Sequence, residues 1–272
     1  MTNTKITLLL PTRGRSDTLD RSVTSLLSNA DHPESIQWLL AFDNDDRESY
    51  QHFKDHVLDK IKDSGGTYSC MEFPPLGYGR LHEYLNALAK HGTGDWFVFW
   101  NDDAVMIDKG WDTVIASHTG KFCVQAFNTH NMHPYSIFPI IPKEWYTLLG
   151  HLSQHSLNDA WISQIAWMLD IMVRIPVKVE HDRFDLTGKN EDATYKNREV
   201  FEGNPRDPRD FNHISNRKKR YAEGQILANY LESQGIDMAH WHEIKSGKKD
   251  PWAKMLASDV NHQMVRVSPD TL

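Results

Sequence analysis

Three times within its first 103 residues the chain drives an apolar run straight into charged side chains: KITLLLPT into Arg13-Gly14-Arg15, SIQWLLAF into Asp43-Asn44-Asp45-Asp46, and DWFVFW into Asn101-Asp102-Asp103. Strands that are apolar at consecutive positions are buried on both faces, whereas one-faced strands alternate. A sheet buried on both faces needs helices on both, and the intervening segments supply them. SDTLDRSVTSLLSNA offers Ser16 or Asp17 as N-cap and places Leu19, Val23, Leu26 and Leu27 at helical spacing. ESYQHFKDHVLDKIKDSGG is amphipathic and stops at Gly65-Gly66, and YGRLHEYLNALAKHGTG turns Leu81, Leu85, Leu88 and Ala89 inward. With TYSCMEF as a further strand, the order is strand–helix repeated, which implies a mostly parallel sheet flanked by helices.

The second half is less regular. KFCVQAFN and the short IPVKVEH read as strands, and PKEWYTLLGHL, DAWISQIAWMLDI and HISNRKKRYAEGQILANYLESQG as helices. The polar stretch from Asp182 to Asn212 carries two glycines and two prolines and reads as a functional or disordered loop. No element is assigned beyond Ile236. The chain has 272 residues, 39% of them apolar, enough for one α/β domain with an appendage. It has no run of about 18 apolar residues, so no spanning helix is expected. The N-terminus reads as a first strand rather than a signal peptide. Two distant cysteines, Cys70 and Cys123, fit a reducing cytoplasm better than a disulfide. A net charge of −7 argues against wholesale coating of nucleic acid, although Asn216–Arg220 (NRKKR) and the segment near Lys245 are locally basic. The ordinary account of such spots is a solvated surface.

In a parallel sheet the charged strand ends converge on one edge, where open α/β sheets bind ligands. Carboxylates gathered in one crevice repel unless something positive lies between them. A hard divalent cation, Mn²⁺ or Mg²⁺, meets that need, and such an ion usually brings a substrate phosphate with it. Neither GxGxxG after the first strand nor GxxxxGK[ST] anywhere is present, which counts against dinucleotide and P-loop chemistry.

The order LLLPTRGR, AFDNDD and GYGRLHEYLNALAKHGTGDWFVFWNDD resembles the nucleotide-sugar domain of GT-A fold glycosyltransferases of the family-2-like kind, small phage or bacterial members included. The resemblance covers roughly Lys5 to Trp111 and is looser beyond. It implies a single GT-A (Rossmann-like) domain: residues 1–110 as the nucleotide-sugar-binding half, 111–212 as the acceptor-binding half, and 213–272 as a C-terminal helical extension. It implies that the Pro-Thr-x-x-Arg turn, Pro11, Thr12 and Arg15 with Arg13 inside it, touches the nucleoside, that Asp43 bonds the base, that Asp102 reaches the ribose or sugar, and that Asp103 and His181 hold the metal. The family's first acid of D-x-D is Asn101 here, a departure that bears on metal dependence. Asp159, at the start of a helix, is implied as the general base on the acceptor hydroxyl; a plain helix cap is the rival account.

From the residues themselves, Arg13, Arg15 and Arg80 suit a diphosphate through paired hydrogen bonds, or serve as surface ion-pair partners. Trp100 reads as core, Tyr78 as packing or a contact to the sugar donor, and His130 with His133 as an aromatic acceptor wall rather than a metal site. The expected activity is transfer of a sugar from a nucleotide diphosphate sugar, UDP first, to a hydroxyl, metal-assisted and inverting, with the polar loop ordering over the bound donor. Acceptors left open are a hydroxymethylated base in duplex DNA, a saccharide or a small molecule. A nucleotidyltransferase and a catalytically silent nucleotide-sugar-binding module are the rival classes.

Overall fold

The computed structural model describes residues 5–129, 136–182 and 203–251. Its first half runs β1 (Ile6–Thr12), α1 (Ser16–Asn29), β2 (Ile36–Asp43), α2 (Arg47–His52), a π turn (Phe53–Val57), α3 (Leu58–Asp63), β3 (Thr67–Phe73), α4 (Leu81–Ala89) and β4 (Trp96–Phe99). The second half runs β5 (Ala104–Met106), α5 (Trp111–Ala116), β6 (Val124–Thr129), β7 (Ile140–Pro142), α6 (Lys143–Leu149), α7 (Asn158–Met168), β8 (Met172–His181), α8 (Ile214–Ser233) and α9 (Ala239–Lys245). Among the described residues no helix is long and apolar enough to cross a membrane.

One eight-stranded sheet carries the order β3-β2-β1-β4-β7-β6-β8-β5. The β3-β2-β1-β4 half is parallel throughout. In the other half β6 and β8 are parallel, while β7 runs against β4 and β6, and β5 against β8. The sheet is therefore mixed.

Alternate residues of the apolar runs feed two cores. Leu8 and Leu10, Trp38, Leu40 and Phe42, Trp96, Val98 and Trp100 pack with α1 and the α2–α3 segment. Leu9, Leu39, Ala41, Phe97 and Phe99 pack on the opposite face with α4, α6, α7, α8 and α9. Trp38, Trp96, Trp100, Trp111, Trp145, Trp161 and Trp241 are all fully buried. Burying a large side chain of this sort stabilises by on the order of 2–3 kcal/mol, which explains how a chain rich in tryptophan holds two cores on one sheet.

Local departures from the sequence reading have identifiable causes. The helix expected after β2 is interrupted by the π turn at Phe53–Val57, which keeps both Phe53 and Val57 buried. Helix α1 starts from Arg15 with no side-chain cap, rather than from Ser16 or Asp17. The short strand expected at IPVKVEH is the ten-residue β8, because its register against β6 shifts between Ala126 and Asn128 and leaves Pro176 in the irregular stretch. The basic run Asn216–Arg220 is not one solvated face: Arg220 is buried, donates to the Phe211 carbonyl (2.9 Å) and lies over the rings of Phe211 and Trp161. Lys218 and Lys219 are exposed. Helix α9 lies in the stretch that the sequence left unassigned, anchored by buried Trp241 and Ile244. His130, His133 and most of the polar loop, residues 183–202, lie outside the described residues.

Candidate active site

A cleft of about 240 Å³ opens at the carboxyl ends of β1, β2 and β4. Pro11, Thr12, Arg13 and Arg15 reach it from β1 and the turn after it, Asp43 from β2, and Asn101, Asp102 and Asp103 from the turn after β4. Tyr78, Leu81 and Tyr84 line it from the α4 entry, Ser156, Leu157, Asn158 and Asp159 from the start of α7, and His181 from the end of β8. Parallel pairing of β1 with both β2 and β4 brings these tips together, so residues far apart in sequence share one opening.

His181 arrives by a separate route. Strand β8 alternates, with Ile175, Val177, Val179 and His181 inward. Its register sets His181 opposite Ala104, the residue after Asp103. The main chain continues the alignment, the Asp182 amide donating to the Asp103 carbonyl (3.0 Å).

The charged groups form two clusters. In the first, Arg13 donates to Asp43 Oδ2 (2.7 Å) and to both oxygens of Asp45, while the Tyr84 hydroxyl donates to Asp43 Oδ1 and accepts from the Leu76 amide (2.8 Å). Burial raises the Tyr84 phenol, with help from Asp43, to about 12, so the hydroxyl keeps its proton for Asp43. Asp46 is a scaffold residue. It accepts from the Ser49 amide at the start of α2 and from the Gly14 amide (2.7 Å), where Gly14 takes a left-handed φ of 64°.

In the second cluster, Arg15 Nη1 donates to Asp102 Oδ1 (2.9 Å) and Asp103 Oδ2 (3.0 Å), and the Thr12 hydroxyl donates to Asp102 Oδ2 (2.7 Å). His181 Nε2 lies 3.1 Å from Asp103 Oδ1 and 3.4 Å from Asn101 Nδ2. Burial pushes the Asp102 carboxyl up to about 6, against the pull of Arg15 and with the push of Asp103. Burial also works against ionised Asp103, but hydrogen bonding and charge from His181, and charge from Arg15, prevail and hold it below the usual carboxylate range. Burial and the neighbouring charge thus raise one acid, while His181 and Arg15 lower the other, so two adjacent carboxyls differ in proton affinity.

Asp103 and His181 fit a divalent cation. Each is 6% exposed, one offers oxygen and the other imidazole nitrogen, and their polar atoms are spaced like neighbouring ligands on one ion with bonds of about 2.1 Å. Among the described residues no group of three or more His, Cys, Asp or Glu is placed to hold an ion. A cation here would draw its remaining ligands from phosphate and water, as Mg²⁺ and Mn²⁺ commonly do.

Of the residues picked from the sequence, Pro11, Thr12, Arg13, Arg15, Asp43, Asp102, Asp103, Asp159 and His181 all line the cleft. Arg80 is not among its lining residues. Its guanidinium is taken by Glu83 one turn along α4, through Nε and Nη2, and the pair is largely exposed. Asp159 lies in the first turn of α7 and accepts from the Ala160 amide (2.8 Å), so it has a helix-end role whatever else it does. Trp100 is core, fully buried, its indole donating to Ser22 (2.7 Å). Tyr84 went unread in the sequence. It lies on the same inward stripe as Leu81, Leu85 and Leu88, and a hydroxyl on an otherwise apolar stripe was the available signal.

No family model matches the chain, and no curated protein matches it. Solved structures do. S. aureus TarS 1-349 in complex with UDP-GlcNAc aligns at a TM-score of 0.57 and 13% identity over 93% of this chain and 73% of that one. Mannosyltransferase PcManGT from Pyrobaculum calidifontis, in complex with GDP-Man and Mn²⁺, aligns at 0.53 and 12% over 93% and 84%. In the UDP complex of TarS 1-349 (TM-score 0.50, 13% identity) the match covers 65% of this chain and spans 60% of that one. At such identities the likeness is one of architecture, and the architecture is that of a single GT-A, Rossmann-like domain with C-terminal helices.

Proposed function

We propose that the chain is a glycosyltransferase that moves a sugar from a nucleotide diphosphate sugar, UDP-linked by preference, to an acceptor hydroxyl with inversion. The observation that carries this reading is the meeting of Asp43, Arg15, Asp102, Asp103, Asp159 and His181 in one cleft of a GT-A fold. Residues 1–110 would supply the nucleotide half, 111–212 the acceptor half and 213–272 the helical extension.

In this reading Pro11 and Arg13 face the nucleoside, Asp43 bonds the base, and Thr12 with Asp102 orients the ribose or sugar. Arg15 exchanges its two carboxylate partners for diphosphate oxygens, a bidentate match that guanidinium makes well. Asp103 and His181 would hold Mn²⁺ or Mg²⁺, which when bound supplies positive charge beside the leaving diphosphate. Asp159 takes the acceptor proton, the base contribution being about 10²–10⁴-fold in rate.

A thermal-shift series with UDP, GDP and their sugars, with and without Mn²⁺, tests the reading. A ligand at a hundredfold excess over Kd should stabilise by about 2.7 kcal/mol. Release of UDP separates transfer from nucleotidyl chemistry, which would release pyrophosphate. Absence of any nucleotide response sinks the proposal. For the acceptor we place a hydroxymethylated base in duplex DNA first, with exposed Lys218 and Lys219 of α8 supporting phosphate contact, and a saccharide or small molecule second. A salt-sensitive gel shift with duplex DNA divides the two.

A further inference from the structure

Asn158 carries a polar atom that the roles given above leave without employment. The residue opens α7, lines the cleft and is only 4% exposed. Its Nδ2 donates to the Ser156 carbonyl (2.9 Å), which fixes the amide's orientation, because the flipped form would set oxygen against oxygen. Oδ1 is then the buried end, and among the described residues nothing donates to it. An unpaired buried acceptor is costly, and one carried by a residue that lines a cleft is placed for a ligand to complete it.

The loop that presents Asn158 is pinned from behind. His155 Nδ1 accepts from the Leu157 amide (3.0 Å), its Nε2 lies 2.8 Å from the Arg209 carbonyl, and its ring stacks on Trp161. Burial lowers the His155 imidazole to about 4, so it stays neutral and keeps both bonds at ordinary pH. The backbone that carries Asn158 is therefore held in place.

The chemistry of the orphan atom narrows the ligand. An amide oxygen only accepts, so a hydrogen-bonding partner brings an O–H or N–H. Ionised phosphate brings neither, which removes the diphosphate. Successive residues on a helix point about 100° apart, so Asn158 and its neighbour Asp159 address different atoms. We propose that Asn158 Oδ1 accepts a hydrogen bond from a hydroxyl, or an acetamido N–H, of the donor's sugar, and so reads which sugar the nucleotide carries. This inference rests on the nucleotide-sugar reading of the cleft.

The test is titration calorimetry in Mn²⁺ with UDP, UDP-glucose, UDP-galactose, UDP-N-acetylglucosamine, GDP and GDP-mannose, on the full chain and on Asn158→Leu. The intact chain should bind one sugar nucleotide about tenfold tighter than its bare nucleotide, about 1.4 kcal/mol. Asn158→Leu should erase that margin and leave bare-nucleotide affinity within about twofold. Its ligand-free thermal midpoint checks that the variant folds, loss of the Nδ2 bond to the Ser156 carbonyl opposing removal of the orphan acceptor. Deoxy analogues of the preferred sugar on the unaltered chain need no variant: one position should lose the same factor. A margin that survives in Asn158→Leu, deoxy analogues that all bind as well as the parent, or sugar nucleotides no tighter than bare ones overturns the assignment while the nucleotide reading stands. Absence of any nucleotide binding by the intact chain brings both down.

Discussion

On the wall of the cleft built from the tips of β1, β2 and β4, Asp43, Asp102 and Asp103 each already have a guanidinium partner, and Tyr84, Thr12 and His181 bond their other oxygens. The facing wall, at the start of α7, is built differently. There Asn158 has a buried oxygen to which none of the described residues donates, and a neutral imidazole, His155, helps to hold the loop. The first wall is organised for charge, so an incoming anion can trade places with a carboxylate at Arg15. On the proposed reading the second serves hydroxyls, which need a fixed neutral acceptor and a base. A site that parts a sugar from a diphosphate requires both kinds of surface within a sugar's width of each other.

The largest expected effect tests the charged wall. Asp103→Ala should lower sugar-nucleotide turnover by about a thousandfold, the order seen when one group facing developing charge is removed. The variant should still fold, with turnover and thermal midpoint measured side by side. Full activity in a folded Asp103→Ala chain would break the assignment of that wall. Asp159→Asn tests the facing wall. Turnover should fall by about a hundredfold, while UDP binding by calorimetry stays within about twofold. A matching loss of UDP affinity would mean that Asp159 serves the helix end and the shape of the cleft rather than the acceptor proton.

A smaller effect separates Asp102 from Asp103 by pH. Asp102 is held up near 6 in the folded chain, above the carboxylate value of the unfolded one. The folded state therefore binds the extra proton between about pH 4 and 6, and stability contributed by this group declines as pH rises through that window. Asp103 is depressed, so its contribution is present above the unfolded value and is lost as pH falls below it. Thermal midpoints of the ligand-free chain and of Asp102→Asn from pH 4 to 7 should differ in slope. The decline through pH 4–6, on the order of 2 kcal/mol, should be reduced in the variant. Parallel curves would show that Arg15 compensates Asp102 fully.

How much of the charged wall could be read beforehand follows from its construction. Continuous apolar runs ending in acids announce strands buried on both faces, and parallel pairing then fixes where their tips go, so Asp43, Asp102 and Asp103 could be placed together from order alone. Their partners depend on side-chain direction. Arg13 and Arg15 are two residues apart yet serve different clusters, and nothing in PTRGR says which takes Asp43 and which takes Asp103. The hydroxyl wall was far less legible. Asn158 and His155 owe their roles to a loop whose geometry is set by Trp161, Arg209 and Phe211, contacts that span up to 56 residues and leave no periodic trace. The β8 register is intermediate: alternation points His181 inward, but only the pairing with β5 sets it beside Asp103.

Arg80 gives the smallest expected effect and the sharpest boundary to the charged wall. It lies two residues from lining residue Tyr78, and its charge suits a diphosphate, so sequence alone favours it as much as Arg15. The difference is in what holds each guanidinium. Arg15 is largely buried against two acids that a phosphate can replace, whereas Arg80, just before α4, is exposed and bonded to Glu83 in its first turn. Exposed pairs of that kind contribute little, so Arg80→Ala should change UDP affinity by less than about twofold. Arg15→Ala should weaken it by about tenfold or more, since a charge-assisted bidentate contact is lost. Equal losses in the two variants would mean that ligand binding draws Arg80 from Glu83 into the cleft, and the charged wall would then extend across the start of α4.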